Sequence, residues 1–289
     1  MLKTNHQPVL LEEVLRYLDP KERDAYLDLT AGYGGHASAV LAKTGSLDSM
    51  VLVDRDAKAV NELKKLFGER TKILQTDFYS AAKQLLDSDQ RFDCILADIG
   101  VSSPHLDNAD RGFSLRAEGP LDMRMDQSQA LTAEVIVNTY SEEELTRIIK
   151  QYGEDPKAKR IAQTIIAERP VTTTTQLATL VGKVWPGYSK VHPATRTFQA
   201  LRIAVNDELE QLQQALPLWV ALLKPGGRLG VISFHSLEDR IVKQFLADKS
   251  GNRYDAELKL LTKSPVTADQ KELVLNPRAR SAKLRVAAK

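Results

Sequence analysis

Residues 25–40 read AYLDLTAGYGGHASAV and decide the fold that the sequence predicts. The apolar run Tyr26–Leu29 is typical of a short buried strand, and a glycine-rich turn at 32–35 separates it from small residues that suit a helix start. Strand, glycine turn and helix together form the nucleotide-binding corner of an open α/β sheet. Glycines allow the tight turn and the close approach of a ligand, and the free N–H groups of the helix start face its polar end.

This corner does not identify its own ligand. The spacing Gly32-x-Gly34-x-x-Ala37 fits a dinucleotide corner and an S-adenosylmethionine corner equally well. A turn that binds nothing and only joins a strand to a helix is a third interpretation. The strand ends further along the chain must therefore decide among the three.

Composition and charge are those of an ordinary globular protein. The chain has 289 residues, 43% of them hydrophobic, which is enough for one domain with an insertion. The net charge of +2 says little about partners. Basic residues are concentrated at 278–289, where they either contact phosphate or are simply solvated.

The single cysteine, Cys94, fits a buried strand in a reducing compartment. With no signal peptide and no long apolar run, we expect a cytoplasmic protein without membrane contact.

Acidic residues follow the next three predicted strands. Asp54 follows the strand at 50–53, Asp77-Phe78 follows the strand at 72–75, and Asp98 follows the strand at 92–97. At these ends Asp54 can accept hydrogen bonds from ribose hydroxyls and Phe78 can pack on adenine. The alternative for Asp54 is that Asp56 caps the next helix and Asp54 is only solvated. Four βα units in about 100 residues indicate a doubly wound, mostly parallel sheet.

The strand–helix alternation stops after Asp98. A loop at 99–105 and a polar stretch at 107–126 precede an entirely helical pattern at 130–214, whose longest predicted helix is 194–214. The fifth strand is predicted at 228–234, and the runs at 258–261 and 283–286 predict a closing antiparallel pair. We therefore expect an α/β, Rossmann-like sheet domain at 1–108 and 215–289. An all-helical substrate-recognition domain at 109–214 is inserted between strands 4 and 5.

Three other kinds of site fit the sequence poorly. No lysine follows the glycines as a phosphate-binding loop requires. The spacing of His235, Glu238 and Asp239 is weak for a metal, so we expect none. A triad of Ser102, His235 and Asp98 lacks the glycine-flanked serine turn of hydrolases.

Several long and unusual strings cover nearly the whole chain. They are HQPVLLEE at 6–13, GGH at 34–36, VDRD at 53–56, DIGVSSP at 98–104, RGFS at 111–114, LDMRMD at 121–126, HPATRTFQALRI at 192–203, SFHSLEDR at 233–240 and NPRARSAKLR at 276–285. In these strings the chain resembles the bacterial 16S ribosomal RNA cytosine-N4 methyltransferases. The resemblance implies S-adenosylmethionine as cofactor and a cytosine in the decoding centre of the small ribosomal subunit as substrate.

The resemblance also implies a set of cofactor contacts. These are Gly34, Gly35, His36, Asp54, Phe78, Asp98 and His105. The family usually has glutamine where this chain has His105. An imidazole still offers one donor and one acceptor, so binding should survive the difference.

The chemistry of such a transfer follows from the substrate. The lone pair of the cytosine N4 is delocalised into the ring, so the site must accept hydrogen bonds from the amine and hold nitrogen, methyl and sulfur in line. Our hypothesis is that Asp98 and the loop Ser102-Ser103-Pro104 supply the acceptors. Phe113 or Phe234 then stacks on the base, which has left its own stack.

Several side chains, most of them basic, are candidates for binding RNA. We expect contacts from Arg111, Phe113, Arg124, Arg196, Arg202 and His235, with the inserted domain shaping the substrate cleft. Each arginine alone is as well explained by a surface or an ion pair. No stable protein partner is implied.

Other functions remain open at this level. A methyltransferase of the same fold acting on another RNA or DNA base is one. A non-catalytic ribosome-assembly module is another. A nicotinamide dehydrogenase fits the glycine corner but leaves the helical insertion unexplained.

Overall fold

The protein was analysed as a computed structural model, which describes residues 8–100, 108–187, 191–251 and 256–289. Within these ranges the strands form one sheet in the order β3-β2-β1-β4-β5-β7-β6. The strands are β1 (Tyr26–Asp28), β2 (Met50–Asp54), β3 (Lys72–Gln75), β4 (Phe92–Asp98), β5 (Leu223–Ser233), β6 (Lys259–Leu260) and β7 (Lys283–Ala288). The first five are mutually parallel, and β7 runs antiparallel to both β5 and β6. The sequence predicted this mixed, doubly wound α/β sheet correctly.

Helices connect the strands and make up the insertion. In chain order they are α1 (Leu11–Leu18), α2 (Gly35–Thr44), α3 (Ala57–Phe67), α4 (Phe78–Asp87), α5 (Ala133–Thr139), α6 (Glu142–Gly153), α7 (Ala158–Ala167), α8 (Thr174–Val184), α9 (Thr195–Asn206), α10 (Glu208–Leu222), α11 (Ser236–Asp248) and α12 (Gln270–Leu275). Within the described ranges, no helix is both long and apolar enough to cross a bilayer.

The sheet is buried on both faces. Alternate residues of β1 and its neighbours contribute to two different hydrophobic clusters: Leu27 belongs to the cluster that contains Trp219, whereas Tyr26 belongs to the cluster that contains Leu10. Because side chains alternate between the faces of a strand, each cluster covers one face. Burial on both faces explains why these strands are nearly continuous apolar runs in the sequence.

The chain divides into two compact units. Met1–Gly100 and Leu209–Lys289 form the first, and Val101–Glu208 forms the second. The second unit has a hydrophobic cluster of its own, drawn from residues between Phe113 and Val205. The division falls after Gly100 and after Glu208, whereas the sequence analysis placed it after 108 and 214.

The predicted helix at 194–214 is in fact two helices. Asp207 adopts a left-handed conformation with φ of 51° and ends α9, and α10 begins at the next residue. The amide of Asn206 is tied to the main chain of the second unit, since its Oδ1 accepts from Met125 N at 2.8 Å and its Nδ2 donates to Met123 O at 2.9 Å. Apolar periodicity does not reveal such a break, because the apolar residues keep helical spacing across it, from Phe198 through Val205 to Leu212.

Three of the five basic residues at 278–289 have partners in or beside the sheet, whereas Arg278 and Arg280 are exposed. Residues 283–288 form β7, which lies between β5 and β6. Arg285 is buried and pairs with Asp239 at 2.7 Å, and Lys283 Nζ lies 3.2 Å from the same carboxylate. Lys289 Nζ donates to the carbonyl oxygen of Val220 at 2.9 Å. These three cations serve the sheet, so the predicted phosphate contact does not apply to them.

Candidate active site

The carboxyl ends of β1, β2 and β4 meet because β1 lies between the other two strands. Asp98 N donates to Thr30 Oγ1 at 2.6 Å, which joins the end of β4 to the segment after β1. Asp54 accepts from Gly32 N and from Asp56 N, each at 2.8 Å. The structure thus brings Asp54, Asp98 and the glycine corner to one edge of the sheet, as the sequence predicted for a parallel sheet.

Asp54 therefore has a structural role at the corner. Its carboxylate holds the glycine turn through Gly32 N, while Asp56 caps α3 by accepting from Lys58 N. An ionised carboxylate has about four acceptor positions, so one carboxylate can serve more than one hydrogen bond. The capping by Asp56 and the predicted role of Asp54 are compatible.

The glycines of the corner are needed for different reasons. Gly34 has φ of 80°, and a Cβ there would lie 2.8 Å from the Phe67 ring. A Cβ on Gly35 would lie 2.6 Å from Pro8 Cγ. Gly32 has φ of 52°, and its Cβ position is open, with Thr30 O at 3.9 Å. Packing thus demands Gly34 and Gly35, while the side of the turn open to a ligand lies at Gly32. The backbone of Gly34 is bonded within the protein, since its N–H donates to Ala31 O at 2.8 Å and its carbonyl oxygen accepts from Ser38 N at 2.8 Å. The cofactor contacts expected at Gly34 and Gly35 stay a prediction.

His36, in the first turn of α2, is buried, with 8% of its surface exposed. Its Nε2 lies 2.9 Å from Val9 O, and its Nδ1 lies 3.9 Å from Asp98 Oδ2. A carbonyl oxygen only accepts, so Nε2 carries the hydrogen and Nδ1 carries the lone pair. Burial lowers the pKa of His36, which keeps the ring neutral at physiological pH.

Burial raises the pKa of Asp98 to about 7, with a smaller contribution from the charge of Glu238. The side chain still exposes 22% of its surface. A carboxyl whose pKa is raised toward neutral pH is a common mark of a functional site.

Asp28 is a second buried carboxyl at this edge, and the sequence analysis did not single it out. Burial raises the pKa of Asp28 to about 6. Tyr26 Oη donates to its Oδ2 at 2.9 Å, and Thr30 N donates to its Oδ1 at 3.2 Å. The signal was available, because Asp28 is the one acidic residue inside the first predicted strand, next to its last position.

The three aromatic candidates have different surroundings. Phe78 is buried edge-to-face against Trp219, with ring centroids 5.4 Å apart. Phe113 is only 7% exposed and belongs to the hydrophobic cluster of the second unit. Phe234 packs directly over the position of a Cβ on Gly100, two residues beyond Asp98. Of the two rings suggested for stacking on the base, Phe234 lies against Gly100 and packs on the core cluster that contains Leu10, whereas Phe113 belongs to the core of the second unit.

Three of the four arginines predicted to contact RNA are engaged inside the second unit. Arg111 is buried, and its Nη2 donates to Arg124 O at 2.9 Å and to Met125 O at 3.0 Å. Arg124 forms a two-pronged pair with Asp122 at 2.9 and 2.7 Å. Arg202, in turn, forms one with Glu208 at 3.0 and 2.8 Å. These guanidinium groups tie the protein's own loops and helices together, which agrees with the alternative that such an arginine serves an internal contact.

Arg196 and His235 complete the predicted RNA contacts. Arg196 is exposed, and its Nη1 donates to Glu154 O at 3.1 Å. His235 caps α11: its Nδ1 accepts from Glu238 N at 3.4 Å, and its Nε2 lies 3.0 Å from Glu238 Oε1. Glu238 Oε2 in turn accepts from Phe234 N at 2.7 Å. His235 therefore shapes the turn that carries Phe234, and Arg196 is the predicted RNA contact that the fold leaves exposed. The predicted contacts Ser102, Ser103, Pro104 and His105 lie outside the described residues.

The strand-end chemistry fits S-adenosylmethionine. The carboxylates of Asp54 and Asp98 suit hydroxyl and ammonium groups, and the open Cβ position of Gly32 lets a ligand approach the backbone. With the strand order 3-2-1-4-5-7-6, this site defines an S-adenosylmethionine-dependent methyltransferase of the Rossmann-like class. A family model described as the MraW methylase family matches residues 3–289. The chain belongs to the MraW methylase family.

Relatives of similar length share nearly half of their residues with this chain. A protein named ribosomal RNA small subunit methyltransferase H from Cyanothece sp. is 49% identical, over 98% of this chain and 94% of its own. Proteins of the same name from Synechocystis sp. and Heliobacterium mobile are 47% and 45% identical, over 99% and 100% of this chain and 93% and 100% of their own. Among solved structures, a putative rRNA-methylase from Clostridium thermocellum has a TM-score of 0.48 at 12% identity, over 98% of this chain and 99% of that one.

Proposed function

We propose that this methyltransferase transfers the methyl group of S-adenosylmethionine to the exocyclic N4 of a cytosine in the decoding centre of 16S ribosomal RNA. The names of the relatives, which match along their whole length, support the small-subunit RNA substrate. The observation that carries the choice of an amine is Asp98, a partly exposed carboxyl at the end of β4.

Asp98 makes the amine a better nucleophile. When its carboxylate accepts a hydrogen bond from the N4–H group, electron density moves toward nitrogen and offsets the delocalisation of the lone pair. When bound, the cofactor supplies a methyl group on a positively charged sulfonium. That positive charge favours the ionised form of Asp98, although burial raises the pKa of the free carboxyl.

Phe234 holds the target base against Asp98. The ring lies over Gly100, and the N–H of Phe234 is fixed by the buried carboxylate of Glu238 at 2.7 Å. A ring held in this way offers a stacking surface to an extruded base. Positioning of nitrogen against the methyl group supplies the rest of the acceleration.

Substrate and cofactor fall to different units in this proposal. The unit of Met1–Gly100 and Leu209–Lys289 binds the cofactor, and Val101–Glu208 recognises RNA, with Arg196 contacting phosphate. Since Arg111, Arg124 and Arg202 are engaged internally, they act by holding the shape of that unit.

The test is methylation in vitro of purified small subunits and of naked 16S RNA, with the modified nucleoside identified by mass. We expect N4-methylated cytidine, and a product on another base or no turnover on either substrate would exclude the proposed reaction. Asp98→Asn at saturating cofactor should lose most of the rate. Asp89→Asn, an equivalent change at an exposed turn carboxyl, should keep it.

A further inference from the structure

The peptide bond between Val9 and Leu10 links the candidate active site to a distant part of the chain. Its carbonyl oxygen, on Val9, accepts from His36 Nε2 at 2.9 Å. Its N–H, on Leu10, donates to Glu272 Oε1 at 2.7 Å. One peptide plane therefore joins a buried histidine of α2 to a carboxylate of α12, 262 residues away from Leu10.

The orientation of this peptide determines which nitrogen of His36 carries its hydrogen. With Val9 O as the acceptor, the hydrogen lies on Nε2, and the lone pair of Nδ1 lies on the side of Asp98 Oδ2, 3.9 Å away. If the peptide turned over, Nε2 would lose its acceptor. The other tautomer would then place an N–H group against Asp98, where it would compete with the substrate amine for that carboxylate.

Leu10 does not hold this orientation by itself. It has φ of 54° and ψ of 35°, a left-handed conformation that is costly for a branched side chain. The side chain is fully buried, and Leu10 O starts α1 by accepting from Val14 N at 2.8 Å. The N–H of this peptide, on Leu10, donates to the carboxylate of Glu272, and this hydrogen bond fixes the orientation of the peptide. A charge-assisted bond of this kind also polarises the peptide and makes Val9 O a better acceptor.

We propose that Glu272 is a positioning residue for methyl transfer, which acts through the Val9–Leu10 peptide to hold His36 with its Nδ1 lone pair facing Asp98. The proposal rests on the role of Asp98 as the acceptor for the substrate amine. Glu272 itself touches neither that carboxyl nor His36 in this chain of contacts.

The surroundings of Glu272 indicate that a substitution there will not unfold the helix, so its effect on the peptide can be measured. Burial raises the pKa of Glu272, and Glu13, Asp269 and Glu12 add repulsion. Loss of the charge therefore relieves repulsion, and a neutral variant is not expected to unfold α12. Asp269 caps that helix by accepting from Glu272 N at 2.7 Å, a bond to the main chain that no side-chain change at 272 removes.

The first experiment reads the His36 tautomer by imidazole nitrogen NMR of the full-length protein without substrate. The wild type should show a single tautomer with the hydrogen on Nε2. Glu272→Leu and Glu272→Asp, the second of which keeps the charge but withdraws the carboxylate by one methylene, should each show a mixture. Glu272→Gln keeps an acceptor oxygen at the same reach and should restore the single tautomer. Lys271→Ala, its exposed neighbour in α12, is the matched control and should behave as wild type.

The second experiment measures methyl transfer with the same variants. We expect kcat to fall about tenfold in Glu272→Leu and Glu272→Asp, equivalent to about 1.4 kcal/mol, with KM for S-adenosylmethionine changed much less. A single unchanged tautomer in both variants, or a changed tautomer with wild-type kcat, would overturn the proposal. Full activity of Asp98→Asn would instead overturn the role of Asp98, which keeps the two failures distinct.

Discussion

Gly35 and Pro8 touch so closely that a Cβ on the glycine would lie 2.6 Å from Cγ of the proline. The first turn of α2 is thus packed directly against the segment that carries the peptide bound by His36. Glycine is needed at this position for a contact within the protein.

Gly35→Ala should push the segment at Pro8 away from α2. We expect a loss of about 1–3 kcal/mol in the free energy of unfolding, typical of an overpacked contact. Weaker S-adenosylmethionine binding, measured by calorimetry, should accompany it. Gly182→Ala is the control, because its Cβ meets nothing within 4 Å and the helix should gain about 0.5–1 kcal/mol. Wild-type binding and stability in Gly35→Ala would show that the segment yields freely.

The pH dependence of turnover should report Asp98. Since the carboxylate must be ionised to accept from the amine, kcat/KM for S-adenosylmethionine should fall with falling pH below about 7, the pKa of Asp98 in the free enzyme. For kcat the fall should begin at lower pH, because the sulfonium charge favours the carboxylate.

Variants identify the group whose ionisation causes the fall in kcat/KM at low pH, which is the acidic limb of the pH profile. Asp98→Asn should abolish the pH dependence along with most of the rate. Asp28, with a pKa raised to about 6, is the competing group, so Asp28→Asn should leave a limb near pH 7 if Asp98 is responsible. His36 has a lowered pKa and does not account for it.

Asp98 should also lower the free energy of unfolding at high pH. Its pKa rises from an ordinary 3.8 to about 7 in the folded protein, so its contribution to stability is present below pH 4 and is lost as pH rises through 7. Asparagine is neutral throughout, and Asp98→Asn should therefore be more stable by about 3–5 kcal/mol at pH 8 and nearly unchanged at pH 4.

Urea unfolding at both pH values measures this, with the fluorescence of buried Trp219 reporting on the first unit. A Trp185→Phe background removes the signal of the other tryptophan, which lies in the second unit. Equal stabilisation at both pH values would mean that the ionisation of Asp98 is not the cause.

Arg202 and Arg196 both lie in α9 but should have different roles. Substitution of Arg202 should affect folding, and substitution of Arg196 should affect RNA binding. Arg202 is 13% exposed and pairs with buried Glu208, so Arg202→Ala should destabilise the second unit by about 3–5 kcal/mol. Hydrogen exchange of the α9 amides measures that loss.

Arg196→Ala should change stability by less than about 0.5 kcal/mol. It should weaken RNA binding and reduce the slope of log affinity against log salt by about 1. A weakened α9 in this variant, or an unchanged salt slope, would remove Arg196 from the RNA surface.

The sequence predicted β1, β2 and β4 well because each is a largely buried apolar run that ends in an acidic residue. The break at Asp207 and the internal pairing of Arg202 could not be predicted in the same way. Both depend on contacts between residues far apart along the chain, such as Asn206 with the main chain at 123 and 125. The link from Glu272 to Leu10 likewise leaves no local pattern.

Candidate site residues differ in the same respect. Asp54 and Asp98 lie at the ends of parallel strands, where topology alone brings them together. Whether an arginine is free or engaged depends on its partners in space. The sequence motifs do not distinguish Arg111 from Arg196. In the structure Arg111 is buried and donates to two carbonyl oxygens, whereas Arg196 is exposed.

The position of β7 sets the order in which the two units can mature during synthesis. β7 leaves the ribosome after the other strands of the sheet, yet it lies between β5 and β6, and β6 hydrogen-bonds to it. The nascent first unit therefore exposes the edge of β5 until residues 283–288 emerge. The second unit is one continuous segment with its own core and can fold on the nascent chain. The first unit is completed last.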